Sequence, residues 1–311
     1  MKRIIALALT LMMVLSLAAC GGKSDSAPSD SASSDASSST ADVKAVKLNL
    51  SVPDAESSSI GVAAAEFAKE LNEKSEGRLD VKVYYNGELY GGDATAAVTT
   101  MQDGGLDMLC LATMWYAFNV INTPYLFSSI DAARAYLNDP VSQPLWDAVE
   151  GMGVKFLAAW TRSFRMTTNN IRPITCPDDF KGIKLRTPGN QMYLTFFNAC
   201  GASATPMSFS EVYTALQTNT IDGQENPADV PYSSSFYEVQ KYISATNHIA
   251  EAWVVGMNPD KFASLDEDLQ TLITETAQEM QQWKLDYDNA TDQRCINLIF
   301  SLYAFIRSRF E

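Results

Sequence analysis

The chain has 311 residues, 46% of them hydrophobic, and a formal net charge of −14 with a sequence pI near 4.5. That length and apolar content suffice for a substantial core in one large or two ordinary domains. A surface this acidic repels phosphate backbones and argues against a nucleic-acid partner, and the presence of one histidine, His248, removes zinc-protease motifs and leaves any histidine-based triad to that residue.

The N-terminus reads as an export signal. Lys2 and Arg3 precede an uncharged run from Ile4 to Ala19 that ends in LSLAAC. The run is shorter than the ~20 apolar residues that span a bilayer. Leu17 to Cys20 resembles a bacterial lipobox, which implies cleavage before Cys20 and a lipid on its sulfur; an uncleaved membrane anchor is the alternative. Residues 1–19 are thus expected to be a signal peptide. Residues 20–44 follow as a lipidated cysteine and a flexible tether of mostly Ser, Asp, Ala and Gly, too polar to offset its ordering entropy.

The folded part then alternates strands and helices. KLNLSVP (47–53) is a strand, and SSIGVAAAEFAKELNEKSEG is a helix with Ala63, Phe67 and Leu71 on one face and Gly77 at its stop. Leu79, Val81, Val83 and Tyr85 alternate as a second strand. A helix capped by Asp93 and a buried strand (106–112) follow. Further strands are predicted at 153–161, 183–188 and 252–257, a helical turn at 177–182, a helix at 190–201, and a long helix over 265–290. The segment SFSEVYTALQTNTIDGQENP (208–227) begins as a helix, with Ser208 and Glu211 spaced for a capping box. It then changes to a short polar, strand-like run through Gln224, Glu225 and Asn226. This order implies an α/β class with parallel pairing.

Ligands in open α/β sheets sit beyond the carboxyl ends of strands. Arg162 and Arg165 follow the predicted strand 153–161, Arg186 lies near the end of 183–188, and Gln224 to Asn226 follow the capped helix. Convergence of these edges would make one polar pocket. Trp115 and Tyr116 follow the strand 106–112 at the same end, where an aromatic lid competes with core packing; for Phe209, pocket lining competes with core packing. His248, Asp222 and Glu225 read as structural hydrogen-bonding groups. Cys110, Cys176, Cys200 and Cys295 match no zinc spacing and no CxxC, and read as single buried thiols. No GxSxG, GxGxxG or GxxxxGK[ST] run occurs, so no cofactor and no metal are expected.

The blocks RMTTNNIRPITCPDDFKGIKLRTPGN, GASATPMSFSEVYTALQTNTIDGQENP and SFYEVQKYISATNHI resemble the solute-binding subunits of tripartite ATP-independent periplasmic (TRAP) transporters, of the dicarboxylate- and sialic-acid-binding (DctP) type. The match is strongest over about 160–250 and extends back to about 45. The resemblance implies a non-enzymatic, extracytoplasmic, lipid-anchored receptor with two α/β lobes and a ligand cleft between them. It would deliver an organic acid to an ion-gradient-driven membrane permease. It also implies that arginines matching Arg165 and Arg186 hold the ligand carboxylate and that Asn226 adds a hydrogen bond, with Arg162 competing for the role of Arg165. A guanidinium fork suits this task, because it meets a carboxylate with two parallel bonds. Phe209 and Trp115 complete the expected substrate-binding set.

The expected lobes are 45–161 plus 251–290 and 162–250 plus 291–311, with hinge crossings near 158–162 and 248–252. Sialic-acid-binding members supply a carboxylate near the position of Ala112 and an asparagine where this chain has Pro53 and Asp54, which argues for a smaller or more apolar acid: a dicarboxylate, keto acid or aromatic acid. After Asp292 the pattern turns apolar and basic, as expected of a truncated or aberrant C-terminus. The rival functions are a receptor of another uptake or sensing system, an extracytoplasmic hydrolase using Asp222, Glu225 and His248, and a surface adhesin.

Overall fold

Alternating apolar residues build the first strand, β1 (Val46–Ser51), which buries Leu48 and Leu50. The computed structural model describes residues 44–94, 96–112 and 116–310; the calls on Cys20, the signal, nearly all of the tether and Trp115 lie outside them. Helix α1 (Ser59–Lys74) starts where the Ser58 hydroxyl accepts from the Gly61 N–H at 3.0 Å, and it turns Ile60, Ala64, Phe67 and Leu71 inward. Next come β2 (Leu79–Tyr84), α2 (Ala96–Gln102) and β3 (Met108–Ala112); β2 and β3 flank β1, both parallel to it. Helices α3 (Ile130–Asn138) and α4 (Gln143–Gly151) lead to β4 (Lys155–Asn169).

The second half runs β5 (Lys184–Thr187), α5 (Gln191–Ala199), β6 (Ser203–Pro206), α6 (Val212–Gln217), β7 (Gly223–Pro227), α7 (Asp229–Ser233) and β8 (Tyr242–Ser244). It ends with β9 (Ala250–Met257), α8 (Pro259–Ala263) and α9 (Glu267–Phe310). The strand order is β2-β1-β3-β9-β4-β7-β5-β6, with β8 also on β4. Two sheets share β4. Its first part pairs antiparallel with β9, while Arg165–Asn169 pair with β7 and Thr167–Asn169 with β8. Parallel pairing therefore holds for β1 with β2 and β3 and for β5 with β6 and β7, whereas every pairing made by β4 and β9 is antiparallel. This corrects the expectation of parallel pairing. β4 crosses from the first sheet to the second and runs against its neighbours in each, and β9 runs against both of its neighbours in the first.

Three further expectations are corrected. The strand predicted to end at residue 161 runs to Asn169, so Arg162 and Arg165 lie within β4 rather than after it; buried carboxylates compensate charges that would otherwise end a strand. The Ser208–Glu211 capping box does not form: Phe209–Glu211 make a 3-10 turn, and α6 begins one turn later than expected. The Met207 carbonyl accepts from Arg186, and Ser208 stays extended at ψ 144°. Of the four cysteines described, all unpaired, Cys110 alone is fully buried and Cys176 is exposed.

One face of the first sheet packs against α1 and α9 through Phe67, Trp160, Ile273 and Met280; the other packs against α2 and α4 through Met101, Trp146 and Val149. The second sheet has two smaller cores, one around Leu185 and Phe197 and one around Leu216 and Phe236. Helix α9 packs along β4: its Ala277 carbonyl accepts from the Trp160 indole at 2.9 Å, and Lys284, fully buried, reaches Asp288 and the Thr161 carbonyl. No described helix is long and apolar enough to cross a membrane.

Candidate functional site

The crossing of β4 between sheets carries an irregularity. Thr161 pairs with Ala252 and Phe164 with Ala250, so three steps on β4 face two on β9. On a regular strand, residues three apart face opposite ways; one extra residue restores the same face. Arg162 and Arg165 consequently reach the same carboxylate, Glu251 of β9.

Arg162 is 1% exposed and fully engaged. It donates to Asp54 in the connection after β1 (2.8 Å) and to both oxygens of Asp229 at the start of α7 (3.1 and 2.5 Å). Burial would depress its pKa, but Asp229, Asp54 and Glu251 outweigh that and hold it above the ordinary value. Ser59 adds its backbone N–H to Asp229 and its hydroxyl to Asp288. Arg162, a competitor for the ligand in the sequence reading, is thereby tied to both sheets' connections.

Arg165 forks onto Glu225, with Nε at 2.5 Å and Nη2 at 2.9 Å from its carboxylate, and pairs with Glu251 through Nη1. Its Nη2 also donates to the Asn226 side-chain oxygen at 3.0 Å. Burial opposes its charge, but Glu225 and Glu251 raise its pKa above the ordinary value. Glu225, fully buried on β7, is held below the usual carboxylate range: burial pushes it up, and the Arg165 charge and the His248 bond more than reverse that. His248 sits between Glu225 (3.0 Å from Nε2) and the Thr246 hydroxyl (2.9 Å from Nδ1), its pKa lowered mainly by burial. Asp222 accepts from the Lys184 N–H at 2.9 Å. Histidine and both acids are thus structural partners, as their residue types suggested.

Arg186 differs. It is 4% exposed, and it donates to one neutral acceptor among the described residues, the Met207 carbonyl, at 3.0 and 2.8 Å. No carboxylate among the described residues pairs with it. Its pKa is lowered to about 10, first by burial; the Arg165 charge acts in the same direction, and Glu225 and Asp54 act against it. It lies over the Phe209 ring at 5.9 Å, and that ring also meets Phe236, so Phe209 serves core and site together. Asn226 gives its amide N–H to Gln224 at 2.5 Å. Arg165, Arg186 and Asn226 thus form one cluster, with Tyr193 under the Arg165 guanidinium at 5.4 Å. Sequence reasoning left Glu251 and Tyr193 out of the cluster. A lone acid inside the apolar run AEAWVVGM was the available signal for Glu251.

A connection from the first sheet reaches the second beside His248. Tyr125, at φ 59°, donates its backbone N–H to the His248 carbonyl (2.7 Å) and its hydroxyl to the Thr246 carbonyl (3.2 Å), and its ring meets Phe196 of α5. No cluster of three or more potential metal ligands occurs among the described residues.

Residues 51–301 match the family profile of DctP, the bacterial extracellular solute-binding proteins of family 7. The chain is 34% identical over 245 residues to the 2,3-diketo-L-gulonate-binding periplasmic protein YiaO of Escherichia coli, covering 77% of this chain and 74% of that protein. Its fold is similar to that of the sugar acid binding protein DctPAm of Advenella mimigardefordensis in complex with galactonate (TM-score 0.80, 31% identity, 84% and 85% of the two chains covered). It is also similar to a TRAP periplasmic solute-binding protein of Shewanella oneidensis with bound succinate (TM-score 0.78, 26% identity, 83% and 85% covered).

Proposed function

The chain belongs to the DctP family of bacterial extracellular solute-binding proteins, a family of TRAP-type receptors rather than enzymes, and from that premise we propose that it captures an organic acid by pairing the ligand carboxylate with Arg186. The observation that carries this reading is a guanidinium withdrawn from water with no carboxylate among the described residues paired to it. Burying an uncompensated charge is expensive, and a ligand anion relieves the expense by supplying the missing partner. Among the described residues Nη1 is left for that anion, because Nε and Nη2 are held by Met207. Asn226 offers the ligand an amide, while Arg165 orients that amide and adds positive potential.

The loaded receptor then delivers the acid to an ion-gradient-driven membrane permease. Capture outside the cytoplasmic membrane, with the body tethered through a lipid on Cys20, fits the residues of the N-terminus. The related proteins named above bind acids of one and of two carboxylates, galactonate and succinate, so a carboxylate is the chemistry they share.

A thermal-shift screen against organic acids tests the reading. An acid at a hundredfold excess over its dissociation constant adds about 2.7 kcal/mol of stability. The shift is expected in the wild type and absent in Arg186→Ala; an undiminished shift in the variant refutes the assignment.

A further inference from the structure

We propose that Tyr90 sets part of the receptor's specificity: its hydroxyl donates a hydrogen bond to an oxygen of the bound acid other than the carboxylate held by Arg186. The inference deepens the proposed function and rests on Arg186 as its anion site.

Tyr90 is 6% exposed, and its ring packs in the core with Met101, Leu111 and Phe118. Its hydroxyl is buried with no hydrogen-bond partner among the described residues. A phenol withdrawn from water ordinarily finds a partner, because an unpaired buried donor forfeits the bond it made to water.

The connection from β2 to α2 carries Tyr90 to the end of the first sheet nearest the second. It folds back over β1 at Gly87 (φ 64°): the Asn86 N–H donates to the Asp54 carbonyl and the Gly87 N–H to the Val52 carbonyl, each at 2.9 Å. The Tyr90 ring edge lies over Gly87, where a Cβ would come 2.7 Å from Cε2. The phenol therefore lies beside the carboxyl end of β1, and ligands of open α/β sheets bind beyond such ends. The same connection then meets the second sheet's side. A Cβ on Gly92 would stand 2.9 Å from the Ser210 hydroxyl oxygen, and Ser210 follows Phe209, over whose ring Arg186 lies. The connection that holds Tyr90 thus bridges Asp54, which bonds Arg162, to the turn that carries Phe209.

The polar groups nearby are already engaged. Asp54 accepts from Arg162 at 2.8 Å, and Ser51 gives its hydroxyl to the Tyr84 carbonyl at 3.3 Å. Burial first, and then the Asp54 charge, push the Tyr90 pKa up, so the hydroxyl keeps its proton and acts as a donor. Thr187, fully buried at the end of β5 and next to Arg186 in sequence, also holds a hydroxyl without a partner among the described residues. Each of these two hydroxyls belongs to a segment at the carboxyl end of a parallel strand, one in each sheet. A ligand oxygen beyond the bound carboxylate supplies the acceptor that Tyr90 lacks. An acid without such an oxygen leaves the donor unpaired, which is how a buried hydrogen-bonding group tells similar ligands apart.

Calorimetry on wild type, Tyr90→Phe and Arg186→Ala tests the inference. The probes are D-galactonate, D-glucuronate, pantoate and succinate, with hexanoate as the acid that carries no second acceptor; urea denaturation of the ligand-free proteins accompanies it. Tyr90→Phe keeps the ring and removes the hydroxyl alone. It is expected to weaken the tightest-binding probe about threefold to tenfold and to narrow the preference for that probe over hexanoate by the same factor. Its ligand-free midpoint is expected to equal or exceed that of wild type, because an unpaired donor has been removed. A lower midpoint with unchanged affinity marks a hydroxyl that serves the fold and overturns the inference. An equal loss for hexanoate marks disturbed packing instead of a lost bond and overturns it too. Binding unchanged in Tyr90→Phe yet lost in Arg186→Ala overturns the inference and leaves the carboxylate receptor standing. Binding that survives Arg186→Ala removes the anion site itself, and the inference with it.

Discussion

Replacing Arg165 with methionine strands Glu225 and Glu251 in the interior, whereas replacing Arg186 with methionine removes a charge that pairs with no described carboxylate and that burial disfavours on balance. The two changes therefore differ in sign. Arg165→Met is expected to cost about 3–5 kcal/mol in urea denaturation, the usual penalty for breaking a buried pair from one side. Arg186→Met is expected to leave the ligand-free protein as stable as before, or more so, while ligand affinity falls by about 1.5–3 kcal/mol. A large loss of ligand-free stability in Arg186→Met contradicts the claim that its charge is uncompensated. His248 yields a pH dependence. Its folded pKa lies below 6.5, mainly because of burial, so above 6.5 both folded and unfolded states hold it neutral. As pH falls through 6.5 the unfolded chain takes up the proton first, and stability is lost until the folded pKa is reached. Wild type should therefore lose melting temperature relative to His248→Gln between about pH 7.5 and about pH 5.5. A constant difference across that range contradicts the assignment.

β7 shows how an element places these residues. Gly223 opens it where a Cβ would sit 2.3 Å from the Thr168 carbonyl oxygen and 2.7 Å from the Asn169 Cβ, so β7 lies against β4 only with glycine there. Gly223→Ala is expected to destabilise by about 1–3 kcal/mol and to weaken ligand binding, because Glu225 and Asn226 move with the strand. Retention of wild-type stability and affinity contradicts this. Helix α9 braces the crossing from the other side. Asp288→Ala leaves Lys284 buried without its carboxylate, with an expected loss of about 3–5 kcal/mol by chemical denaturation. Periodicity made most of these elements legible, since α1, β1, β2 and β3 follow plain 3.6- or 2-residue patterns. The length of β4 was not legible, because arginines inside a strand look like its end until their partners from residues 54, 225, 229 and 251 are in place. The missing capping box was not legible either: Ser208 and Glu211 have the right spacing, but Phe209–Glu211 turn as a 3-10 helix and Ser208 makes no side-chain cap bond. The family resemblance points to Arg186 and Asn226 as candidate site residues, yet which arginine lacks a carboxylate partner among the described residues depends on contacts between distant segments.

Across the whole molecule, the two sheets are joined by β4, β9 and α9 and tied by side chains that reach across. Arg162 connects the Asp54 loop to Asp229 of α7 from the interior. Tyr125 connects the loop after β3 to Thr246 and Phe196 at the surface. Arg162 is buried and Tyr125 is 63% exposed, so opening is expected to release Tyr125 while Arg162 holds. Tyr125→Ala is expected to raise the dissociation constant several-fold, equivalent to about 1 kcal/mol, with a larger radius of gyration in the ligand-free state by X-ray scattering. Unchanged affinity and radius contradict a closing role.

The central claim is that the fold leaves one buried guanidinium for the ligand's charge. A crystal structure with a bound organic acid tests it most directly. The account predicts the ligand carboxylate within hydrogen-bond reach of the Arg186 guanidinium, with Asn226 beside it and Arg165 still on Glu225. A carboxylate bound elsewhere, with Arg186 holding only the Met207 carbonyl, would contradict it.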